Sequence, residues 1–135
     1  HALGNPNPRV AVLSAVEAVN PKMPSTMDAA LIAMMNQRKQ IPGCIIEGPL
    51  AFDNAVDLEA AKTKGITSEV GGQADILIVP NIEAGNIFGK TLTYYCHYRV
   101  AHVVMGTRAP ILIPSRADDG ETKMLCMAMG LACIV

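Results

Sequence analysis

The chain has 135 residues, half of them hydrophobic, with eleven basic and twelve acidic side chains and a formal net charge of −1. A domain of that length buries a real core, and its scattered Lys and Arg residues make none of the basic stripe that a nucleic-acid binder needs. No apolar run approaches the length that spans a bilayer and no charged-then-apolar leader opens the chain, so nucleic acid and membrane are set aside and a cytoplasmic protein is expected.

His1-Ala2-Leu3-Gly4 reads as the last turn of a helix with Gly4 behind its C-cap, as if the chain entered in mid-domain; a fragment is expected. Arg9 to Ser14 (RVAVLS) is a β-branched and aliphatic run that predicts a strand. A Pro- and Ser-bearing loop, Asn20 to Thr26, then leads into a helix over Met27 to Arg38, with Ser25 or Thr26 as N-cap and Asp28 in its first turn. Gly43 to Glu47 predicts a second strand stopped by Gly48-Pro49, and Asp57 to Lys64 a short helix closed by Gly65. Asp75 to Val79 (DILIV) reads as a buried strand ended by Pro80, and Ile82 to Tyr98 as a helix carrying Gly85 and Gly89. Arg99 to Met105 and Ala109 to Ile113 are two further strand candidates. The segment Pro114 to Gly120 reads as a hinge into a last helix, Asp119 to Cys133, apolar on much of its circumference and in need of cover.

Repeated strand–helix units with nearly continuous apolar strands argue for a three-layer αβα domain on a mostly parallel sheet. The four cysteines, Cys44, Cys96, Cys126 and Cys133, lack CxxC spacing and sit in apolar surroundings, which predicts buried reduced thiols rather than a metal site.

In open α/β sheets, ligands bind beyond the carboxyl ends of the strands. In Glu83-Ala84-Gly85-Asn86, a glycine at a helix N-terminus lets an anion approach backbone amides, and Asn86 adds a donor; alternatively Gly85 serves tight helix–strand packing and Asn86 caps a turn. Lys90, on the same helix face as Asn86, adds a positive charge or is merely solvated. Ser115-Arg116 follows a strand and precedes a helix, so a hydroxyl and a forked guanidinium can hold phosphate and stabilise oxyanion charge; the plainer reading is an N-cap and a surface arginine. Lys22 and Ser25 can touch phosphate from the first loop. Asp53 and Asn54 contact a ligand or cap the next helix. His97 and His102 read as structural, and no GxGxxG or GxxxxGK[ST] fingerprint is present. No base stands beside Ser115 in sequence, so a serine-nucleophile hydrolase is not supported.

Val12 to Thr26, Ile45 to Val56, Ala74 to Ile87 and Ala109 to Lys123 together resemble the phosphate acetyl/butyryltransferase family, its butyryltransferase-like branch above all. The resemblance runs almost end to end. It implies reversible acyl exchange between CoA and inorganic phosphate, in a cleft between two α/β domains of the isocitrate/isopropylmalate dehydrogenase-like fold. CoA or acyl-CoA and phosphate would be the substrates, with no metal and no tightly bound cofactor, in a homo-oligomer. Residues 1–114 would be the second α/β domain of a two-domain enzyme, and residues 115–135 the Ser-Arg loop and a helix returning to a missing N-terminal domain. The resemblance makes Ser115 and Arg116 the catalytic pair and Lys22, Ser25, Glu83, Gly85, Asn86 and Lys90 substrate-binding residues.

Two departures stand out. Tyr94 occupies the place where acetyltransferases carry an arginine, and the carboxylates after Ser-Arg, namely Asp118, Asp119 and Glu121, are spaced differently, leaving the general base unassigned. The shift away from the acetyltransferase pattern favours a longer acyl group. Competing readings are a non-catalytic acyl-CoA-binding regulatory module and the acyltransferase end of a bifunctional enoyl-CoA hydratase–acyltransferase.

Overall fold

A computed structural model of the chain describes residues 1–134; Val135, the last residue of the predicted 115–135 segment, lies outside the described residues. Two compact units are distinguished, Pro6–Gly85 and His1–Asn5 with Asn86–Val135.

The first unit runs β1 (Arg9–Leu13), α1 (Pro24–Gln37), β2 (Ile45–Leu50), α2 (Phe52–Val56), α3 (Leu58–Thr63) and β3 (Ile76–Ile78), and then opens α4 (Ile82–Tyr94). Its strands pair in parallel in the order β2-β1-β3. β1, central and flanked on both edges, buries Val10 through Leu13 completely enough that each is at most 7 % exposed. Side chains alternate across a strand, and the two faces meet different helices. Ala11 and Leu13 join Leu50, Ala55 of α2 and Val70 in one cluster. On the other face, Val12 approaches Gly48, which in turn lies against Ala29 of α1. The sheet is therefore covered on both sides, the αβα arrangement expected from the alternation of elements.

Asp75 fixes the start of the β1–β3 pair. Its carboxylate takes bonds from the Arg9 Nε at 3.0 Å and Nη2 at 3.1 Å, while its amide donates to the Arg9 carbonyl at 2.8 Å. The Arg9 side chain is thereby held protonated to higher pH than usual, first by that side-chain hydrogen bond.

Several boundaries differ from those expected. β2 passes through Gly48-Pro49 to Leu50 instead of stopping there. A proline inside a strand is tolerated because β2 is an edge strand and the register shifts beside it, between Ala11 and Leu13. The Gly48-Pro49 bond is cis. α1 begins at Pro24, not at Met27, and neither Ser25 nor Thr26 is the N-cap; that position falls to Met23. Proline's fixed φ suits the first helical position, and the Thr26 hydroxyl is committed to the preceding loop, accepting from the Asn20 amide at 2.9 Å and reaching the Met23 carbonyl at 2.8 Å. The predicted Asp57–Lys64 helix is α3, with Asp57 as N-cap accepting from the Ala60 amide at 2.7 Å. Its end is a Schellman turn: Ile66 donates to the Ala61 carbonyl and Gly65, at φ +71°, to that of Lys62.

The second unit holds the rest of α4 and α5 (Gly120–Ala132). α4 ends at Tyr94 and not at Tyr98, followed by His97 in the left-handed region at φ 54°. The two strand candidates, Arg99 to Met105 and Ala109 to Ile113, form no strands; they meet in a single antiparallel bridge, Val104 to Ile111. α5 matches its expected span, with the Asp119 carboxylate accepting from the Thr122 amide at 2.7 Å as N-cap and Cys133 as C-cap. All four cysteines are free, but only Cys126 is buried; Cys44 and Cys133 are half-buried and Cys96 is exposed.

Candidate functional site

Because all three strands of the first unit are parallel, their carboxyl ends share one edge. Ser14 follows β1 directly and is 8 % exposed. Its hydroxyl lies 2.8 Å from the Ser25 hydroxyl in the first turn of α1, and 3.5 Å from the Met23 sulfur. The loop between them is drawn in by Thr26, which is fully buried, so Ser25 is held at the strand edge rather than on the outer surface. Lys22 is exposed on this loop; its amide donates to Asn20 Oδ1 at 2.9 Å.

A groove of about 440 Å³ opens beside Ser25, between the ends of β1 and β3 and the flank of α1. Val12, Leu31, Ile32 and Ile78 make its walls apolar, with Ser25 and Asp28 as its polar members. Such a groove accepts a chain that is apolar along its length and polar at one end.

A second polar group stands around Asn54. Lys64 Nζ lies 3.1 Å from Asp53 Oδ2 and 3.5 Å from Glu17 Oε2, and the fully buried Asn54 donates to Glu17 at 3.2 Å. The Lys64 hydrogen bond, above other causes, holds Asp53 below the usual carboxylate range, and the reciprocal bond raises Lys64. Glu17 is lowered first by its own backbone amide and then by Asn54 and Lys64. Asp53 and Asn54 thus serve this charge network and not a helix cap.

At the start of α4 the Asn81 side chain accepts the Ala84 amide at 2.8 Å, and the Gly85 amide donates to the Asn81 carbonyl at 3.1 Å. A Cβ on Gly85 would stand 2.9 Å from Val79 Cγ2, so this glycine permits close helix–strand packing. Glu83 is exposed. In the second unit, Asn86 and Lys90 are exposed on α4, and Lys90 Nζ lies 5.5 Å from the centre of the Tyr94 ring.

The Ser115-Arg116 pair sits on a turn of the second unit. Asp118 Oδ2 accepts the Ser115 amide at 2.7 Å, and the Asp118 amide donates to the Ser115 carbonyl at 3.1 Å. Ser115 is half-buried and Arg116 exposed. The other nearby carboxylates are engaged elsewhere: Asp119 caps α5, a bond that holds it below its ordinary range, and Glu121 pairs with Arg99 at 2.8 Å. Among the described residues no cluster of three or more His, Cys, Asp or Glu side chains is placed to hold a metal ion, and no helix is long and apolar enough to cross a membrane.

The model of the family described as "Phosphate acetyl/butaryl transferase" matches residues 1–131. The chain belongs to this family. Within it, a phosphate butyryltransferase from Clostridium acetobutylicum is 53% identical over 129 residues, covering 96% of this chain and 43% of the relative. A phosphate acetyltransferase from Thermotoga maritima is 51% identical over 129 residues, covering 96% of this chain and 44% of the relative. Among solved structures, a branched-chain phosphotransacylase from Enterococcus faecalis superposes with a TM-score of 0.85 at 35% identity over 97% of this chain and 47% of that one. A phosphotransacetylase from Staphylococcus aureus, at 24% identity, shares the fold with a TM-score of 0.72 over 93% of this chain and 40% of that one. The chain thus spans less than half the length of the relatives it matches.

Sequence reading singled out Ser25 but missed its partner Ser14 and the groove walls. Ser14 was legible only as the last residue of an apolar run; its amide is tied to the Leu50 carbonyl and its hydroxyl lies against Met23 and Ser25.

Proposed function

We propose that this chain supplies one side of the active site of an acyl-CoA:phosphate acyltransferase, which moves an acyl group reversibly between CoA and inorganic phosphate. The observation that carries the reading is the family match across nearly the whole chain, and what supports the choice of donors is the turn that holds Ser115-Arg116. In the forward direction a phosphate oxygen attacks the thioester carbonyl carbon and a tetrahedral oxyanion forms. The C–S bond then breaks, leaving acyl phosphate and the CoA thiolate, which takes up a proton. Ser115 Oγ–H and the Arg116 guanidinium are the donors for the charge that grows on phosphate and carbonyl oxygen; donors fixed before reaction act most strongly on such charge. Lys22, Ser25, Glu83, Gly85, Asn86 and Lys90 are the further substrate-binding residues of this reading, and within the first unit the apolar groove beside Ser25 is suited to an acyl chain. The remaining contacts come from the part of the family's length that this chain does not span. The protein works in the cytoplasm as a homo-oligomer, with CoA and phosphate as substrates and no tightly bound cofactor.

The test is an assay on the intact protein that carries this chain, following phosphate-dependent release of CoA from acetyl-CoA and butyryl-CoA. Turnover is expected with at least one. Ser115→Ala and Arg116→Ala should each lower kcat by roughly 10²–10³-fold, the range for lost oxyanion donors. Silence of the wild type with both substrates would sink the reading, and CoA binding without turnover would point to a regulatory module.

A further inference from the structure

Resting on the reading that Ser115-Arg116 serves acyl transfer, we infer that Asp118 is the positioning residue of that pair and is not the base that takes the CoA proton. Three carboxylates follow the pair closely enough to be considered for proton transfer. Two have other work: Asp119 Oδ1 accepts the Thr122 amide at 2.7 Å, and Glu121 Oε1 lies 2.8 Å from Arg99 Nη2.

Asp118 is different from both. Its side chain is only 4% exposed, and its Oδ2 takes the Ser115 amide at 2.7 Å while its own amide returns a bond to the Ser115 carbonyl at 3.1 Å. Ser115 and Asp118 are therefore tied in both directions, and Arg116 and Ala117 span the turn between them. The Ala117 amide reaches back to Ser115 Oγ at 3.4 Å. Such closure fixes the backbone from which the hydroxyl and guanidinium project. Placement errors near 1 Å can cost about 10²-fold in rate, so a clamp on that backbone contributes to turnover without touching substrate.

The same geometry argues against proton transfer by Asp118. A general base needs an oxygen within hydrogen-bond reach of the proton it takes, and this carboxylate is nearly buried with Oδ2 already committed. His102 also approaches Oδ2, its Nε2 4.0 Å away and its side chain 46% exposed. The His102 amide is in turn held by Cys126 Sγ at 3.1 Å.

Asp118→Asn and Asp118→Ala separate the two roles. Asparagine keeps an oxygen that can accept the Ser115 amide but cannot act as a base. In the intact protein, Asp118→Asn should retain kcat within about threefold and leave the shape of the pH–rate profile unchanged, whereas Asp118→Ala should lower kcat by about 10–100-fold with KM little altered. An Asn variant as impaired as the Ala variant, or one that loses a limb of the pH profile, would make Asp118 the base and overturn the inference. An Ala variant as active as wild type would overturn it equally. If Asp118→Ala fails to fold, the Asn arm and its pH profile decide.

Hydrogen exchange supplies a readout independent of activity. In Asp118→Ala the Ser115 amide should lose about tenfold or more of its protection while the amides of β1 keep theirs. Unchanged protection at Ser115 removes the clamp. A wild type that shows the clamp but turns over no acyl-CoA refutes the acyltransferase reading instead.

Discussion

Pro6–Gly85 and the unit formed by His1–Asn5 with Asn86–Val135 are both rich in apolar residues, yet among the described residues only the first builds a sheet from them. In the first, β1 has a parallel neighbour on each edge and helices against both faces, and Ala11, Ala29, Ala55 and Ala61 are fully buried. In the second, Ile113 is 66% exposed and Leu131 70%, and the segments around Val104 and Ile111 share one bridge. Strand propensity is context-dependent. A run such as APILI becomes a strand only where another strand offers its free amides and carbonyls. The first unit finds these within some seventy residues of sequence, at Arg9, Ile45 and Ile76.

The strongest way to break this contrast is to put the same small group into both units. Gly72 sits at φ +75°, and a Cβ there would stand 2.4 Å from Leu58 Cα and 2.7 Å from Leu58 N. Both the backbone conformation and the neighbouring backbone resist it, so Gly72→Ala should destabilise the first unit by about 3 kcal/mol or more. Gly130 in α5 looks similar on distance alone, since its Cβ would come 2.8 Å from Leu112 Cδ2. That atom is the far end of a flexible side chain that is itself 37% exposed, so Gly130→Ala should cost less than about 0.5 kcal/mol. Urea titration, with amide exchange to assign the loss to a unit, checks both. Equal losses would mean that the second unit is packed as tightly as the first.

How much was legible follows the same line. RVAVL reads as a buried strand and is one; DILIV is its parallel neighbour, but only over Ile76–Ile78, and Ile76 and Ile78 are 41% and 42% exposed. The helix end at Gly65 was visible because its signal lies within a few residues, whereas the N-cap of α5 is Asp119 and not Ser115, the residue the plainer sequence reading put there. The continuation of β2 through Pro49 was not, because it depends on β2 lying at a sheet edge, which no local signal announces. At the candidate site, Ser115-Arg116 was legible as a loop between an apolar run and a helix, whereas the bonds that make Asp118 its clamp depend on a turn geometry that sequence does not specify. The Ser14–Ser25 pair arises only when α1 folds back onto the end of β1, and the groove along Ile78 and Leu31 only when β3 joins them.

A middle-sized effect sharpens the comparison through helix caps. Asp57 and Asp119 each accept the amide three residues on at 2.7 Å. Asp57 caps a helix whose following turn carries Ile66 against the main core. Asp57→Ala should therefore cost about 1 kcal/mol of the first unit's stability, read as a lower urea midpoint with the slope unchanged. Asp119→Ala should instead speed exchange in the first turn of α5 and leave β1 amides as they were. Loss of protection in β1 on removing Asp119 would show that the two units unfold together.

The smallest effect is electrostatic and belongs to the first unit's Glu17, Asp53 and Lys64 group. Glu17 and Asp53 have folded pKa values below their unfolded ones, so their contribution is present above the carboxylate range and is lost as pH falls through the folded values. Lys64 is raised, so its contribution is present below its unfolded value and is lost as pH rises through the folded one. Stability should be level through neutral pH, fall below roughly pH 4 and fall again above roughly pH 10. All three groups meet solvent, so the change is a modest one that salt screens. Lys64→Met should flatten the alkaline arm and move the acid arm to higher pH, because Asp53 then loses the ammonium that hydrogen-bonds it. Thermal melting of wild type and Lys64→Met at pH 3, 7 and 10.5 reads this directly. An acid arm that stays in place without Lys64 would assign it to the carboxylates held first by backbone amides, Glu17 in the first unit and Asp119 in the second.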